Sequence, residues 1–373
     1  MKYLLILIAV IVLLPQNANA CSLYKITIDG KTIVGNNEDW INGNSEIWFV
    51  PAGKNRYGVM NLGFDNGFTQ GAINEAGLVY DAFIMPYLKV KNFKGKIKVA
   101  EEDLIAPILH NYSNVIDVKE YLSKIDLRIL DNTMLVFVDK SGQYLIVEGD
   151  ELILGKDAEQ SFSNFYPSQT SSLKEVNLPS YQKGLEHLNE TKSESSFDYC
   201  GSVMNSFKQS ITQYTTIYDL HESKIRLYHY QNFDEFVEFD LKVELKKGTH
   251  KLTIPELFSK DTKGYKYYKT YNNVDSIISH YETIWDTMRK KVSPEQTELL
   301  KDQLSQMISL TADEWVKTNK DKNGAIKMYS LVIALFPENK ELKKNARKKI
   351  KLISKQIEEG TKHNRVDGPT SDN

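Results

Sequence analysis

Cysteine is nearly absent. The 373 residues hold two, Cys21 and Cys200. That excludes a scaffold built on disulfides and a cysteine zinc cluster. No charge sign dominates: 47 Lys and Arg stand against 49 Asp and Glu, a net charge of −2. Such a balance leaves no electrostatic footprint for nucleic acid. Past the first twenty residues no apolar run is long enough to span a bilayer as a helix. The seven histidines show neither H-x-x-x-H nor H-E-x-x-H spacing, and no phosphate-cradling Gly-rich loop is present. The sequence therefore points to no metal, no cofactor and no nucleic-acid partner. Hydrophobic residues at 41% and charged residues at 26% are ordinary globular values.

What is present begins at the start of the chain. Met1-Lys2-Tyr3 carries a positive charge, Leu4 to Leu14 is an unbroken apolar run, and Ala18-Asn19-Ala20 follows. This is the pattern of a secretory signal peptide over 1–20 with an A-x-A cleavage site. The expected location is periplasmic or extracellular. Cleavage after Ala20 makes Cys21 the first residue. Three readings of Cys21 compete: a coincidence of position, a lipid-modified cysteine that tethers the chain, and an N-terminal nucleophile. Ala18 stands where a lipoprotein signal usually carries an aliphatic residue. The nucleophile reading has a chemical basis, since a free α-amine with a pKa of about 7.7–8.0 can serve as base to its own thiol. Lipidation consumes both groups, so the last two readings exclude each other.

Along the chain, residues 21–255 read as a β-rich α+β domain. Ser22 to Ile28 alternates, Asp29-Gly30 marks a hairpin turn, and Lys31 to Val34 returns. Further strands are expected at 46–50, 57–60, 78–83, 134–138, 144–148, 152–154, 214–218, 224–230 and 236–241. A helix is expected over 101–122, kinked or started late at Pro107, and another near 181–188. Residues 256–373 carry 22 basic and 17 acidic residues, a net of +5, which leaves −7 for the rest. This part reads as helical over 256–359. Ser293-Pro294-Glu295-Gln296 is a helix start. Ala325-Ile326-x-x-Tyr329, ending in Phe336-Pro337, resembles one helix of a tetratricopeptide repeat; a plain helical bundle explains it equally well. Lys263 to Lys269 reads as a solvated linker or strand edge. Residues 360–373 read as a disordered tail.

Four blocks carry a resemblance. Cys21 is followed by Gly35-Asn36-Asn37-Glu38-Asp39-Trp40, then Asn74-Glu75-Ala76-Gly77-Leu78, then Ser163-Asn164-Phe165-Tyr166-Pro167, then Thr212 to Asp219. In this order they resemble the choloylglycine hydrolase and penicillin V acylase family, linear-amide C–N hydrolases of the N-terminal nucleophile class. The resemblance covers roughly residues 21–250. It implies a four-layer αββα sandwich followed by the C-terminal helices. It also implies roles. Cys21 would attack the amide carbonyl, Asp39 would hold the α-amine and the thiol, and Asn164 would donate to the developing oxyanion. Asn36 stands where the family usually has Arg, which weakens a bile-salt assignment. Ile84 stands where Asn or Tyr is common. Asp81 is a second candidate carboxylate, together with Asn36 as a second candidate of the site. Arg226, the sole Arg of the late strands, reads as an exposed strand charge.

The resemblance thus implies an exported amidohydrolase acting on small-molecule N-acyl amides through a thioester. The alternatives are a lipid-anchored scaffold on an inactive hydrolase fold, and an acyltransferase using the same thioester. Homo-oligomerisation and binding of a partner or membrane surface by the C-terminal helices stay open.

Overall fold

The first hairpin sets the frame. In the computed structural model, which describes residues 21–289, 294–317 and 321–366, Ser22–Ile28 (β1) and Lys31–Asp39 (β2) are joined by Asp29 and Gly30. Both turn residues have positive φ, 49° and 77°. Two successive left-handed residues match the twist of the flanking strands, and glycine adopts that conformation without a Cβ penalty. The expected signal peptide over 1–20 lies outside the described residues.

The chain continues through Ser45–Val50 (β3), Val59–Phe64 (β4), Thr69–Asn74 (β5) and Val79–Ile84 (β6). The helices Ile105–Asn111 (α1) and Val115–Ser123 (α2) follow, then Thr133–Val138 (β7), Tyr144–Glu148 (β8), Glu151–Gly155 (β9) and Glu159–Ser163 (β10). Next come Pro179–Glu190 (α3) and Phe197–Phe207 (α4), then Thr212–Asp219 (β11), Lys224–His229 (β12), Asn232–Asp240 (β13), Leu241–Lys246 (α5) and His250–Thr253 (β14).

Two antiparallel sheets result. One has the order β10-β1-β2-β11-β12-β13, the other β14-β3-β4-β5-β6-β7-β8-β9. Strand alternation decides what each face meets. Leu23, Val34 and Tyr214 of the first sheet share one buried core with Ile47, Met60 and Val136 of the second. The sheets therefore pack face to face. The outer face of the second sheet buries Tyr80 and Leu135 against Ile108 of α1 and Val118 of α2. The outer face of the first buries Tyr24 and Ile217 against Tyr181 of α3 and Met204 of α4. The layers run helix, sheet, sheet, helix. Each fully buried Leu, Ile, Val or Phe contributes about 1.5–3 kcal/mol, so the core between the sheets dominates.

Local chemistry explains where the elements differ from expectation. The single helix expected over 101–122 is two helices. Asn114 breaks it, because its side chain accepts from the Asp117 N–H at 2.9 Å and caps α2. Pro107 sits in the first turn of α1, where its missing N–H is tolerated. The Lys263 to Lys269 stretch is no linker. It lies in the helix Lys263–Tyr271 (α6), whose start is held by the Thr262 hydroxyl accepting from the Tyr265 N–H at 3.2 Å.

The described chain divides into two compact units, meeting between Tyr268 and Lys269. The first extends past Pro255 to include most of α6. The second holds the helices Val274–Met288 (α7), Pro294–Lys317 (α8), Lys322–Leu335 (α9) and Lys340–Val366 (α10). In it Trp285 meets Phe336 edge-on, centroids 5.2 Å apart, and the Tyr281 and Thr311 hydroxyls lie 2.7 Å apart. On α10, Ala346 and Ile353 are buried while Lys344, Arg347, Lys348 and Lys351 are exposed. This helix runs on to Val366, so residues 360–366 of the expected disordered tail are helical; 367–373 lie outside the described residues. Extending a formed helix adds one bond per residue fixed, which is cheaper than starting one. No described helix is long and apolar enough to cross a membrane.

Candidate active site

The hairpin places Cys21. From Ile28 opposite Lys31 the register runs back to Ser22 opposite Asn37, so the next pair outward is Cys21 and Glu38. On its other side β1 pairs with β10, Ser22 opposite Ser163, which brings Asn164 level with Cys21. Beyond Glu38, β11 supplies Tyr214. One row across the sheet thus reads Asn164, Cys21, Glu38, Tyr214. The Ser163 hydroxyl donates to the Cys21 carbonyl oxygen at 2.8 Å and fixes the start of β1.

Cys21 faces the core between the sheets and is 8% exposed. Its Sγ lies 3.8 Å from Glu38 Oε1. The Asp39 main-chain N–H donates to the sulfur. Burial drives the thiol well above its ordinary pKa, and the charges of Glu38, Asp39 and Asp81 drive it further; the Asp39 N–H opposes them.

Asp39 ends β2. A bulge in β11 at Gln213 sets Thr212 opposite it, and the Thr212 hydroxyl donates to Asp39 Oδ1. The Gln209 side chain also hydrogen-bonds this carboxyl, while Oδ2 has no partner. Burial pushes Asp39 up to about 8 against these bonds. Burial, aided by the Asp39 charge, pushes Glu38 up to about 8 as well. Glu38 Oε2 is buried without a partner.

Two residues before Glu38 in β2, on the same face, Asn36 reaches the second sheet and donates through Nδ2 to Asp81 Oδ2 on β6. Asp81 is fully buried and its other oxygen accepts from the Ala82 N–H at 2.8 Å. Burial and the Glu38 charge raise Asp81 well above the carboxylate range.

Asn164 lies just past β10. Its Nδ2 donates to the Ile84 carbonyl at 2.7 Å, and the Tyr166 hydroxyl donates to the Pro86 carbonyl at 2.7 Å. These bonds tie the end of β6 and its loop to the Cys21 end of the first sheet. Ile84 is 61% exposed there and Tyr87 is 70% exposed. No hydrogen bond joins Asn164 to Cys21 among the described residues.

The sequence candidates therefore fall into three settings. Cys21 and Asp39 touch, Asn36 and Asp81 bridge the sheets behind them, and Asn164 flanks Cys21 across β10. Sequence reasoning passed over Glu38, Thr212 and Tyr214. Counting register back from the two-residue turn would have found Glu38. Arg226 is not in this row. It is half-buried between the Phe197 and Phe236 rings, 4.9 and 4.1 Å from their centroids, and pairs with Asp198 and Glu238. The exposed strand charge expected there is a stacked cation, because Arg can bury its planar face while its edge stays paired.

No protein-family model matches the chain, and no curated protein matches its sequence. Among solved structures, the chain is similar to penicillin V acylase from Agrobacterium tumefaciens, with 14% identity over 63% of this chain and 91% of that one and a TM-score of 0.48. It is also similar to a cysteine-to-alanine variant of the conjugated bile acid hydrolase from Clostridium perfringens, with 18% identity over 63% of this chain and 96% of that one and a TM-score of 0.49.

Proposed function

We propose that the protein is an exported hydrolase of linear N-acyl amides that uses Cys21 as nucleophile. One observation carries this reading most: Cys21, the residue that follows the Ala-x-Ala site, sits in a prepared row between Asn164 and Glu38, with the Asp39 N–H on its sulfur. The family resemblance of the four blocks supports the same reaction.

Cleavage before Cys21 frees its α-amine. That amine takes the thiol proton as sulfur attacks the amide carbonyl. Asp39, whose main-chain N–H bonds the Cys21 sulfur, orients the amine. Asn164 carries a side-chain N–H on the flank where the oxyanion forms, and one such donor contributes about 3 kcal/mol in comparable sites. The C–N bond then breaks, the proton passes to the leaving amine, and an acyl thioester remains on Cys21. Water attacks the thioester, the C–S bond breaks, and the acid leaves. An amine in place of water gives acyl transfer by the same route.

The burial of Cys21 also bears on the lipid-anchored alternative. A lipid-modified sulfur must leave the interior, whereas this one faces the core between two sheets. Burial supports a free thiol.

The test uses mature protein and its Cys21→Ser form with a panel of N-acyl amides, with released amine as the readout. Amine release by the native form and its loss in the Ser form support the proposal. Activity at near native level in the Ser form refutes the thiol mechanism. Intact mass of the mature chain checks the start: an unmodified Cys21 is expected, and a diacylglyceryl addition would sink the hydrolase reading.

A further inference from the structure

The row through Cys21 is asymmetric. On the β10 side stand Asn164 and the Ile84 main-chain carbonyl that it bonds. On the β2 side every polar group is a carboxyl, an amide or a hydroxyl. Glu38, Asp39 and Asp81 are all buried there, and among the described residues no Lys, Arg or His pairs with any of them. Arg226 lies on the opposite face of the first sheet, engaged with Asp198 and Glu238.

The unpartnered atoms point the same way. Glu38 Oε2, Asn36 Oδ1 and the Tyr214 hydroxyl are buried without hydrogen-bond partners. Each residue is more than nine-tenths buried, and strand alternation sets all three on the face that Cys21 shares. Asn36 Oδ1 can only accept, Glu38 Oε2 accepts once its carboxyl is ionised, and the Tyr214 hydroxyl can accept. Buried acceptors left unpaired are costly, and a bound donor relieves that cost. A metal ion is a poor candidate, since among the described residues no three His, Cys, Asp or Glu side chains converge as ligands. An N–H-rich group fits the set. The α-ammonium of a mature Cys21 would supply one cation against three carboxyl groups, which leaves acceptors over.

We propose that the β2 side of Cys21 is the subsite for the amine half of the substrate, and that it selects amines that are cationic or rich in N–H donors over amines that bear a carboxylate or sulfonate. The acyl half then lies on the β10 side, beside Asn164. Glu38 and Asp81 set the selectivity because a bound cation draws their protons off and pairs with the carboxylates, whereas a bound carboxylate or sulfonate finds no cation there. This inference rests on the amide-hydrolase reading.

The experiment compares amides that share a phenylacetyl group and differ in the amine: agmatine as a cation, ethanolamine as a neutral donor, glycine and taurine as anions. With mature full-length protein, kcat/KM for the agmatine amide is expected to exceed that for the glycine amide by about tenfold to a hundredfold. Glu38→Gln and Asp81→Asn should each narrow that ratio. Thermal melts confirm that the variants fold; if one does not, the other carries the comparison. Equal or better cleavage of the glycine and taurine amides overturns the inference and leaves the hydrolase reading standing. So does a ratio unchanged in a folded variant. Binding to Cys21→Ala protein, read by calorimetry with the same amides, separates the remaining cases. Selective binding of the agmatine amide with no cleavage by native protein keeps the subsite and sinks the hydrolase. Neither binding nor cleavage of any amide overturns both.

Discussion

Cys21 Sγ and Glu38 Oε1 lie 3.8 Å apart, directly across the first pair of strands. A carboxylate at that distance opposes formation of a thiolate. On the proposed mechanism the Cys21 thiol therefore meets the amide protonated and loses its proton during attack. Glu38→Gln removes the charge and keeps the shape. The pH profile for alkylation of Cys21 by iodoacetamide should move to lower pH in this variant. An unchanged profile, or one moved to higher pH, would show that the carboxylate does not act on the sulfur.

Asp39 makes stability depend on pH. Its carboxyl is held at about 8 in the fold against 3.8 as the reference value. Between those values the folded state binds the proton that the unfolded chain has lost. The contribution is therefore full below about pH 4 and is lost as pH rises toward 8. Asn mimics the protonated acid. Asp39→Asn should flatten the decline of stability over that window, by up to about 1.4 kcal/mol per pH unit. Urea denaturation of both proteins at pH 5 and pH 8 measures this. A variant that loses as much stability as wild type between the two would sink the assignment.

Gly35 is needed for close packing of α4. A Cβ there would stand 2.6 Å from Met204 Cγ and 2.8 Å from Cys200 Sγ. Gly35→Ala should cost about 1–3 kcal/mol by overpacking. In a Met204→Ala background the same change should cost less, since the crowded atom is gone. Additive costs in the denaturation midpoints would show that the clash is relieved elsewhere.

Arg226 is engaged in ring stacking and ion pairs away from the Cys21 row. Asp198 is largely in solvent, so most of the Arg226 contribution comes from its stack between Phe197 and Phe236. Arg226→Ala should destabilise by about 1–2 kcal/mol. It should leave kcat/KM on N-acyl amides within about twofold of wild type, a factor worth less than 0.5 kcal/mol. A large loss of rate in a protein that still folds would place this cation in the reaction.

Cys21 and Asp39 were legible because a strand, a two-residue turn and a returning strand bring such residues together whatever the rest of the chain does. Glu38 was equally legible but was masked by its neighbour. Asp39 fits the motif, and only a residue-by-residue count of register puts Glu38 opposite the thiol. The Asn36–Asp81 bridge was legible by halves. Each residue could be singled out, but their pairing spans two sheets and depends on how those sheets are set face to face. Tyr214 and Thr212 come from a strand some 175 residues later in the chain, and a bulge decides their register. Local pattern says nothing of either. The helix over Lys263 to Lys269 was hidden because its alternating Lys and Tyr imitate a strand, while the cap that starts it is the single hydroxyl of Thr262.

The two thiols lie on opposite faces of one sheet. Cys21 belongs to the core between the sheets, and Cys200 fills the hollow over Gly35 on the helix side. The strand β2 stands between them as an insulator. An oxidising medium cannot join these sulfurs inside a folded molecule, because no rotamer carries either side chain through a hydrogen-bonded sheet. If the chain is exported as proposed, into a medium where free thiols ordinarily pair, the fold itself keeps Cys21 from its own second cysteine.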